Sequence, residues 1–367
     1  MQKLIERVRK NTFFSLFVLL FIVICFAIFV SFQLFAKNNP APFPFHSKTQ
    51  GATEEQKKIV LPEEQFRRYI DGIFTTEDKI NLPLAAVTID NIVDARPHSG
   101  IEKASLVYEA LTEGGITRFL AIYALDEREI EEIGPVRSAR DYFVDWAKEY
   151  DALYVHVGGS PQSLRKIYRE KIFDLDQFYY SGYFWRSSQR LAPHNVYTSL
   201  ELLKKAREKL LSKKFKKFVF RQFEPWLFKE DLEEDKRPQE EKNLTIHYST
   251  YNYEVGWKYD RTNNEYLRFG SQKPYLTASG EEIKAKNIIV QYVRTWVIDK
   301  AWRRKMEIVG EGEAVVFLDG KVYNGKWKKS EENIRTRFYD EQDKEIEFNA
   351  GPTWIEVVPT GTKITNN

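Results

Sequence analysis

Four short motifs between residues 96 and 160 place arginine or histidine beside glycine or proline, where apolar runs end. They read RPHSG at 96–100, EGGITR at 113–118, GPVRSAR at 134–140 and HVGGS at 156–160, and APHN follows at 192–195. Arginine binds phosphate and carboxylate groups through paired hydrogen bonds, and helix N-termini add backbone donors. We therefore predict a site for an anionic ligand lined by Arg96, His98, Arg118, Arg137, Arg140, His156 and His194.

Two of these arginines, Arg137 and Arg140, stand at the start of a predicted helix. A cation at that end opposes the helix dipole, typically by about 0.3–1 kcal/mol, so both require acidic partners or an anionic ligand. The alternative to a ligand site is an internal ion network. In that network Arg96, Arg118 and Arg140 pair with Glu109, Glu113 and Asp141.

The candidates for a catalytic general base are His98 and Asp141. We expect the proline and glycine around His98 to expose it in a turn, where it is either a base or an ordinary surface residue. The sequence contains no nucleophile elbow, phosphate-binding loop, zinc-protease motif or dinucleotide fingerprint. Asp90, Asp94 and Glu109 could hold a divalent cation, but their spacing is not diagnostic. We therefore assign neither a metal site nor a cofactor, and metal dependence stays open.

The elements that position these motifs alternate between strands and helices. Buried strands are predicted at 84–89, 105–111, 119–125 and 152–157, and helices at 138–150 and 160–170. The second helix has Ser160 as its N-cap and Pro161 at its first position. This pattern predicts an α+β or α/β domain over residues 63–228.

The rest of the chain reads differently. A helix predicted at 199–218 is rich in lysine, which favours either a solvated face or attraction to an anionic surface. A charged connector is predicted at 229–242, and a smaller, mostly β C-terminal domain at 243–360. Within that domain the dipeptide Asp319-Gly320 predicts a two-residue hairpin turn.

The N-terminal segment predicts a membrane anchor. Residues 13–35 carry no charge, and a helix needs roughly 20 apolar residues to cross a bilayer. Basic residues dominate the segment 1–12, so we expect a single-pass protein with a cytoplasmic tail, a transmembrane helix, a linker at 36–62 and an extracytoplasmic soluble region. The alternative is a signal peptide cleaved after Ala36. Cys25 is the only cysteine and lies within the span, which disfavours a lipoprotein and excludes an intramolecular disulfide.

Together the four motifs resemble the YerB-like family of bacterial envelope proteins, which pairs an N-terminal and a C-terminal domain of unknown function 3048. The segments 310–320 and 351–359 are similar to the second of these domains, so the resemblance covers roughly residues 75–360. It implies an envelope location and leaves the activity open. Many family members are classed as lipoproteins, and this sequence departs from them by having a span without a lipid-attachment motif. A looser similarity, in the order of Arg140-Asp141 and Gly158-Gly159, links the chain to phosphotransferases of the LytR-CpsA-Psr type.

Three functions follow from these observations. The leading expectation is a membrane-anchored envelope protein that binds an anionic ligand or a cell-wall polymer. One alternative is a phosphotransferase-like enzyme that acts on a lipid-linked phosphate substrate, and another is a module that docks a protein partner through its C-terminal domain. The excess of basic over acidic residues is only 3, so no nucleic-acid partner is expected.

Overall fold

The computed structural model describes residues 65–240 and 242–366. They belong to one compact unit, Pro62–Asn367. Within the described ranges no helix is both long and apolar enough to cross a membrane. The predicted tail, span and linker lie outside the described residues.

The first part of the chain, residues 65–240, contains the described α-helices and half of the main sheet. The described helices are α1 (Asp141–Lys148), α2 (Pro161–Glu170) and α3 (Leu200–Ser212). The strands are β1 (Phe66–Arg67), β2 (Phe74–Thr75), β3 (Leu84–Asp90), β4 (Leu106–Leu111), β5 (Thr117–Ala124), β6 (Leu153–His156), β7 (Asp174–Asp176), β8 (Trp185–Arg186), β9 (Val196–Tyr197) and β10 (Phe228–Lys229). The four predicted strands and three predicted helices are all present. Ser160 caps α2 as predicted, because its hydroxyl accepts a hydrogen bond from the Ser163 amide at 3.1 Å.

The second part, residues 242–366, is built mainly from strands and has no α-helix among its described residues. They are β11 (Leu244–His247), β12 (Glu254–Asp260), β13 (Glu265–Gly270), β14 (Lys273–Pro274), β15 (Lys284–Ala285), β16 (Asn287–Val293), β17 (Thr295–Val297), β18 (Arg304–Met306), β19 (Gly310–Leu318), β20 (Lys321–Lys329), β21 (Arg337–Asp340), β22 (Phe348–Asn349), β23 (Thr353–Pro359) and β24 (Ile364–Asn366). The predicted hairpin turn is confirmed, since Asp319 and Gly320 join β19 to β20 with φ of 53° and 69°. The mostly β character of this part is likewise confirmed.

Strands from both parts form one ten-stranded mixed sheet in the order β21-β20-β19-β16-β23-β4-β5-β3-β6-β7. The parallel pairing of β23 with β4 joins the two parts. Strand β4 is buried at every position, and a strand of this kind needs partners on both edges as well as cover on both faces. The sequence predicted two neighbouring domains, and the structure adds that they share a sheet.

The two faces of this sheet are covered by different layers. Tyr108 of β4 stacks on Trp146 of α1, with ring centroids 4.7 Å apart. The next residue, Glu109, points to the opposite face and forms an ion pair with Arg268 of β13. Strand β13 belongs to a six-stranded sheet of order β14-β13-β12-β11-β24, with β15 also paired to β13. The central sheet therefore lies between helix α1 and a second sheet.

The strand directions bring the predicted motifs to one end of the central sheet, where β3 and β6 terminate. Strands β3 and β6 are parallel, so their last residues, Asp90 and His156, lie at the same end of the sheet. Strand β5 runs antiparallel to β3, and Asp90 is paired with Arg118. Residues 134–140 pass along this end of the sheet, where the Arg137 amide donates to the Thr88 carbonyl at 2.8 Å.

Candidate functional site

Asp90, the last residue of β3, is the acidic centre of the site at this end of the central sheet. Its carboxylate lies 3.1 Å from Nε of Arg137 and 2.7 Å from Nδ1 of His194. Burial raises the pKa of Asp90, but Arg118, Arg137 and His194 outweigh that effect and hold the pKa below its ordinary value. Asp90 is therefore an anion that fixes two of the predicted site residues.

A second carboxylate, that of Glu113, holds Arg140. Nε and Nη2 of Arg140 each donate to a different oxygen of Glu113 at 2.6 Å. This two-pronged geometry matches the shape of the guanidinium to that of the carboxylate. Burial raises the pKa of Glu113, but the hydrogen bonds and charge of Arg140, together with the charge of Arg118, outweigh that effect and lower the pKa. Arg140 is consequently well satisfied within the protein.

Arg118 is less well satisfied. Its side chain is buried, and its Nη1 donates to the Ser138 carbonyl at 3.1 Å. Nη1 of Arg140 donates to the same carbonyl at 3.3 Å, so the two guanidinium groups approach each other. Nε of Arg118 has no hydrogen-bond partner among the described residues. Burial, followed by repulsion from Arg140, lowers the pKa of Arg118 to about 10.

We call Arg118, Arg137, Arg140, Asp90 and Glu113 the arginine cluster. It contains three guanidinium groups and two carboxylates. With all five groups ionised, its net charge is therefore +1. Arg137 and Glu113 are its most exposed members, with about a quarter of each side chain open to solvent. The arginine cluster is therefore open to solvent at these two side chains.

Arg96 and His98 occupy different surroundings. Nε of Arg96 donates to Oδ1 of Asn91 at 2.9 Å, and its Nη1 donates to the Asn252 carbonyl at 2.9 Å. The guanidinium of Arg96 thus joins the two parts of the chain. The predicted exposure of His98 is wrong, because this side chain is fully buried.

Two contacts from distant residues explain the burial of His98. Its Nε2 lies 2.6 Å from the Asp90 carbonyl, an acceptor, and its Nδ1 lies 2.9 Å from the Tyr275 hydroxyl. Nε2 therefore carries the proton and Nδ1 accepts. Burial lowers the pKa of His98 to about 3, so the ring is neutral.

His156 and Asp141, the remaining candidates, also stand apart from the cluster. His156 is buried, and its Nδ1 donates to the Gly158 carbonyl at 2.8 Å. Asp141, the first residue of α1, accepts from Nζ of Lys305 at 3.1 Å. The structure thus brings Arg118, Arg137, Arg140 and His194 together and leaves these two outside.

The ion network predicted as the alternative is present in part. The Arg140 and Glu113 pair is one of its members, whereas Glu109 and Asp141 pair with Arg268 and Lys305 instead. No group of three or more histidine, cysteine or acidic side chains in the described part of the chain is placed to hold a metal ion. The donors that the arginine cluster offers are guanidinium N–H groups, which are suited to oxyanions.

Sequence reasoning missed a second polar cluster, which lies between the two sheets. Glu109 and Glu356 occupy paired positions on β4 and β23, and the guanidinium of Arg268 contacts both carboxylates. All three side chains are buried. A signal was present, because each glutamate interrupts an apolar strand sequence. Arg268, which balances the charge of the two glutamates, belongs to a strand distant in the sequence. It could not be predicted from the sequence of β4 or of β23.

The comparisons with known proteins agree with this architecture. Residues 72–215 match the family described as "Protein of unknown function (DUF3048) N-terminal domain", and residues 244–355 match the corresponding C-terminal domain. The Bacillus subtilis (strain 168) protein named "Putative lipoprotein YerB" is 32% identical over 314 residues, which cover 83% of this chain and 90% of that relative. The crystal structure of YerB from Bacillus subtilis superposes with a TM-score of 0.71 at 31% identity, covering 82% of this chain and 99% of that chain.

Proposed function

The chain belongs to the DUF3048 family, and from this premise we propose that it is an extracytoplasmic envelope protein that binds an oxyanion at the arginine cluster. Two observations support the location. The Bacillus subtilis relative carries the name of a lipoprotein, and residues 13–35 of this chain have the uncharged composition of a membrane span. An anchor of either kind holds the soluble unit at the membrane surface.

The observation that carries the binding proposal is the incomplete pairing of Arg118. A buried guanidinium group is costly unless its N–H donors are satisfied and its charge is balanced. Nε of Arg118 lacks a partner among the described residues, and the neighbouring Arg140 is already paired with Glu113. An oxyanion beside Arg118 and Arg137 would accept from unsatisfied donors and balance the surplus charge.

The donor set selects the class of ligand. Guanidinium groups bind phosphate and carboxylate oxygens with matched geometry, and neither ligand requires a metal ion for this contact. The more exposed Arg137 would meet the anion first, and the buried Arg118 would hold it from within. A phosphate-bearing wall polymer or headgroup and a free phosphate share this chemistry.

Binding is better supported than turnover. A general base needs a free lone pair within reach of the substrate. His98 is buried, and its Nδ1 lone pair accepts from Tyr275. Asp141 is engaged with Lys305. The geometry of these two side chains therefore gives the enzyme alternative less support.

The experiment is thermal melting of residues 62–367 with and without phosphate or pyrophosphate. This fragment holds the whole compact unit, and the match covers 99% of the crystallised relative, so we expect the fragment to fold by itself. A ligand at about 100 times its Kd adds about 2.7 kcal/mol to the free energy of unfolding. We expect pyrophosphate to raise the melting temperature of the parent and not that of Arg137→Gln.

The matched control is Arg128→Gln, because Arg128 also pairs with a buried aspartate, Asp126, just after the end of β5 that is opposite to Arg118. This variant should keep the full shift. Equal shifts in all three proteins would show that the anion binds elsewhere. If no anion stabilises the parent and Arg137→Gln only lowers its stability, the cluster is an internal ion network and the proposal is wrong.

A further inference from the structure

A two-stranded hairpin in the second part of the chain presents apolar side chains to solvent. Strands β17 and β18 pair with each other and with no other described strand. Trp296, Val297, Ile298 and Trp302 are all exposed, with Trp296 at 43% and Trp302 at 64%. Exposed tryptophan side chains on such a ribbon are available for contact with another surface.

The tip of this hairpin is well ordered by Asp299. One carboxylate oxygen of Asp299 accepts from the amides of Ala301 at 3.0 Å and Arg303 at 3.2 Å. The other accepts from Nη1 of Arg303 at 2.9 Å, and the Ile298 amide donates to the Arg303 carbonyl at 2.8 Å. These contacts fix the position of Trp302.

Trp302 itself has a φ of +59°, which is unfavourable for a bulky L-residue. Glycine or asparagine would occupy this position with less strain. A strained backbone that displays a large apolar side chain to water is costly for folding and indicates a role in binding.

The hairpin is also basic. Residues 294–307 contain five basic and two acidic side chains. Arg294 pairs with Glu307, and Arg303 pairs with Asp299. Lys300 and Arg304 have no carboxylate partner among the described residues. The surface therefore combines tryptophan and aliphatic side chains with surplus positive charge.

We propose that this hairpin docks onto an anionic phospholipid bilayer, with Trp296, Ile298 and Trp302 in the interfacial region and Lys300 beside the headgroup phosphates. Tryptophan is enriched at the headgroup level of membranes, and basic residues near an anionic surface strengthen binding. Four apolar side chains form too small a patch for a stable protein interface, which buries roughly 800 Å² on each partner. A bilayer requires no shape complementarity and accepts a small apolar wedge.

The test measures co-sedimentation of residues 62–367 with vesicles of phosphatidylcholine, with and without phosphatidylglycerol. This fragment omits residues 13–35, the predicted span, so vesicle binding reports on the compact unit alone. We expect binding to the anionic vesicles that weakens as salt is added. The double variant Trp296→Thr, Trp302→Asn should bind at least about tenfold more weakly. Threonine suits a strand and asparagine tolerates positive φ, so this variant should melt no lower than the parent.

Three further variants separate the hairpin from other surfaces. Lys300→Glu should weaken vesicle binding by roughly fivefold or more. Tyr179→Ser removes an even more exposed aromatic side chain, at 83%, from another surface and should have no effect. A variant with Lys209, Lys213 and Lys216 changed to glutamine tests the basic helix α3 and the segment after it, and should retain most of the binding.

Several outcomes would overturn the inference. They are an absence of vesicle binding by the parent, binding by the tryptophan variant that equals the parent, and loss of binding only in the helix α3 variant. Binding to isolated anionic wall polymer but not to vesicles would also overturn it. The inference is independent of the oxyanion site, because Arg137→Gln should keep vesicle binding and the tryptophan variant should keep the pyrophosphate shift.

Discussion

The carboxylates of Glu109 and Glu356 lie side by side on adjacent parallel strands and share the guanidinium group of Arg268. Glu356 also accepts hydrogen bonds from Nε1 of Trp257 at 2.8 Å and from the Tyr248 hydroxyl at 3.0 Å. Two buried carboxylates with one cation cannot both ionise without cost. Burial, followed by repulsion from Glu109, raises the pKa of Glu356 to about 7.

This pKa predicts how stability depends on pH. The folded state holds the proton of Glu356 more tightly than the unfolded chain, whose pKa is near 4.5. Protonated Glu356 therefore makes its full contribution to the free energy of unfolding below pH 4.5. As the pH rises to about 7 this contribution is lost, and the free energy of unfolding falls by roughly 3 kcal/mol. We expect Glu356→Gln to be about 2 kcal/mol more stable than the parent at pH 8, and no more stable at pH 5. Urea denaturation at both pH values measures this.

Glu170→Gln is the control with the opposite sign. Burial raises the pKa of Glu170, but the hydrogen bonds from Lys148 and Arg169 and the positive charges of Lys148 and Lys166 together outweigh that effect and lower the pKa. The stability that Glu170 contributes is thus present above its unfolded pKa, so its neutral variant should be less stable than the parent at pH 8. A Glu356→Gln variant that loses stability at pH 8 would contradict the raised pKa.

Glu113→Gln tests the charge balance of the arginine cluster. Removing this carboxylate leaves the mostly buried Arg140 without its partner, which should lower the free energy of unfolding by about 1–3 kcal/mol in anion-free buffer. Phosphate should restore more stability to this variant than it adds to the parent, because an oxyanion can replace the lost carboxylate. Melting curves over a range of phosphate concentrations measure the effect. A variant that phosphate stabilises no more than the parent would show that anions do not reach Arg140.

How far the site could be predicted depends on which contacts are local. Asp90 and Arg118 meet because both stand at strand ends, and strand ends can be read from apolar runs. The burial of His98 could not be read, because its partner Tyr275 is 177 positions away. Arg96 and its neighbours resemble an exposed turn in the sequence, and the second part of the chain covers them.

The fold shows the same division. The turn at Asp319-Gly320 was predictable because the hairpin requires positive φ at both positions. The pairing of β23 with β4 was not predictable, since nothing in either strand specifies a partner so distant in the sequence. Apolar periodicity identifies strands, and the pairing of distant strands is decided by packing of the complete core.

Lys329 and Glu149 form a fully buried ion pair, which predicts a large loss on removal of one partner. Glu149 also accepts from the amide and hydroxyl of Thr336, each at 3.1 Å. Lys329→Met leaves that carboxylate without a cation and should cost about 3–5 kcal/mol. Adding Glu149→Gln should recover part of the loss. The midpoints of urea denaturation measure both changes, and a double variant less stable than Lys329→Met would contradict the pairing.

Gly320→Ala tests the hairpin turn between β19 and β20. Gly320 has a φ of +69°, and an added Cβ would lie 2.5 Å from Cε1 of Tyr259. The backbone strain costs about 1–2 kcal/mol, and the steric overlap adds roughly 1–3 kcal/mol. Gly280→Ala is the matched control, because Gly280 has a φ of +83° and no neighbouring atom within 4 Å of the new Cβ. We expect the control to lose only the backbone contribution in urea denaturation, so the difference between the variants measures the packing of Tyr259. Equal losses would show that the Tyr259 ring moves aside freely and that only the positive φ requires glycine at this turn.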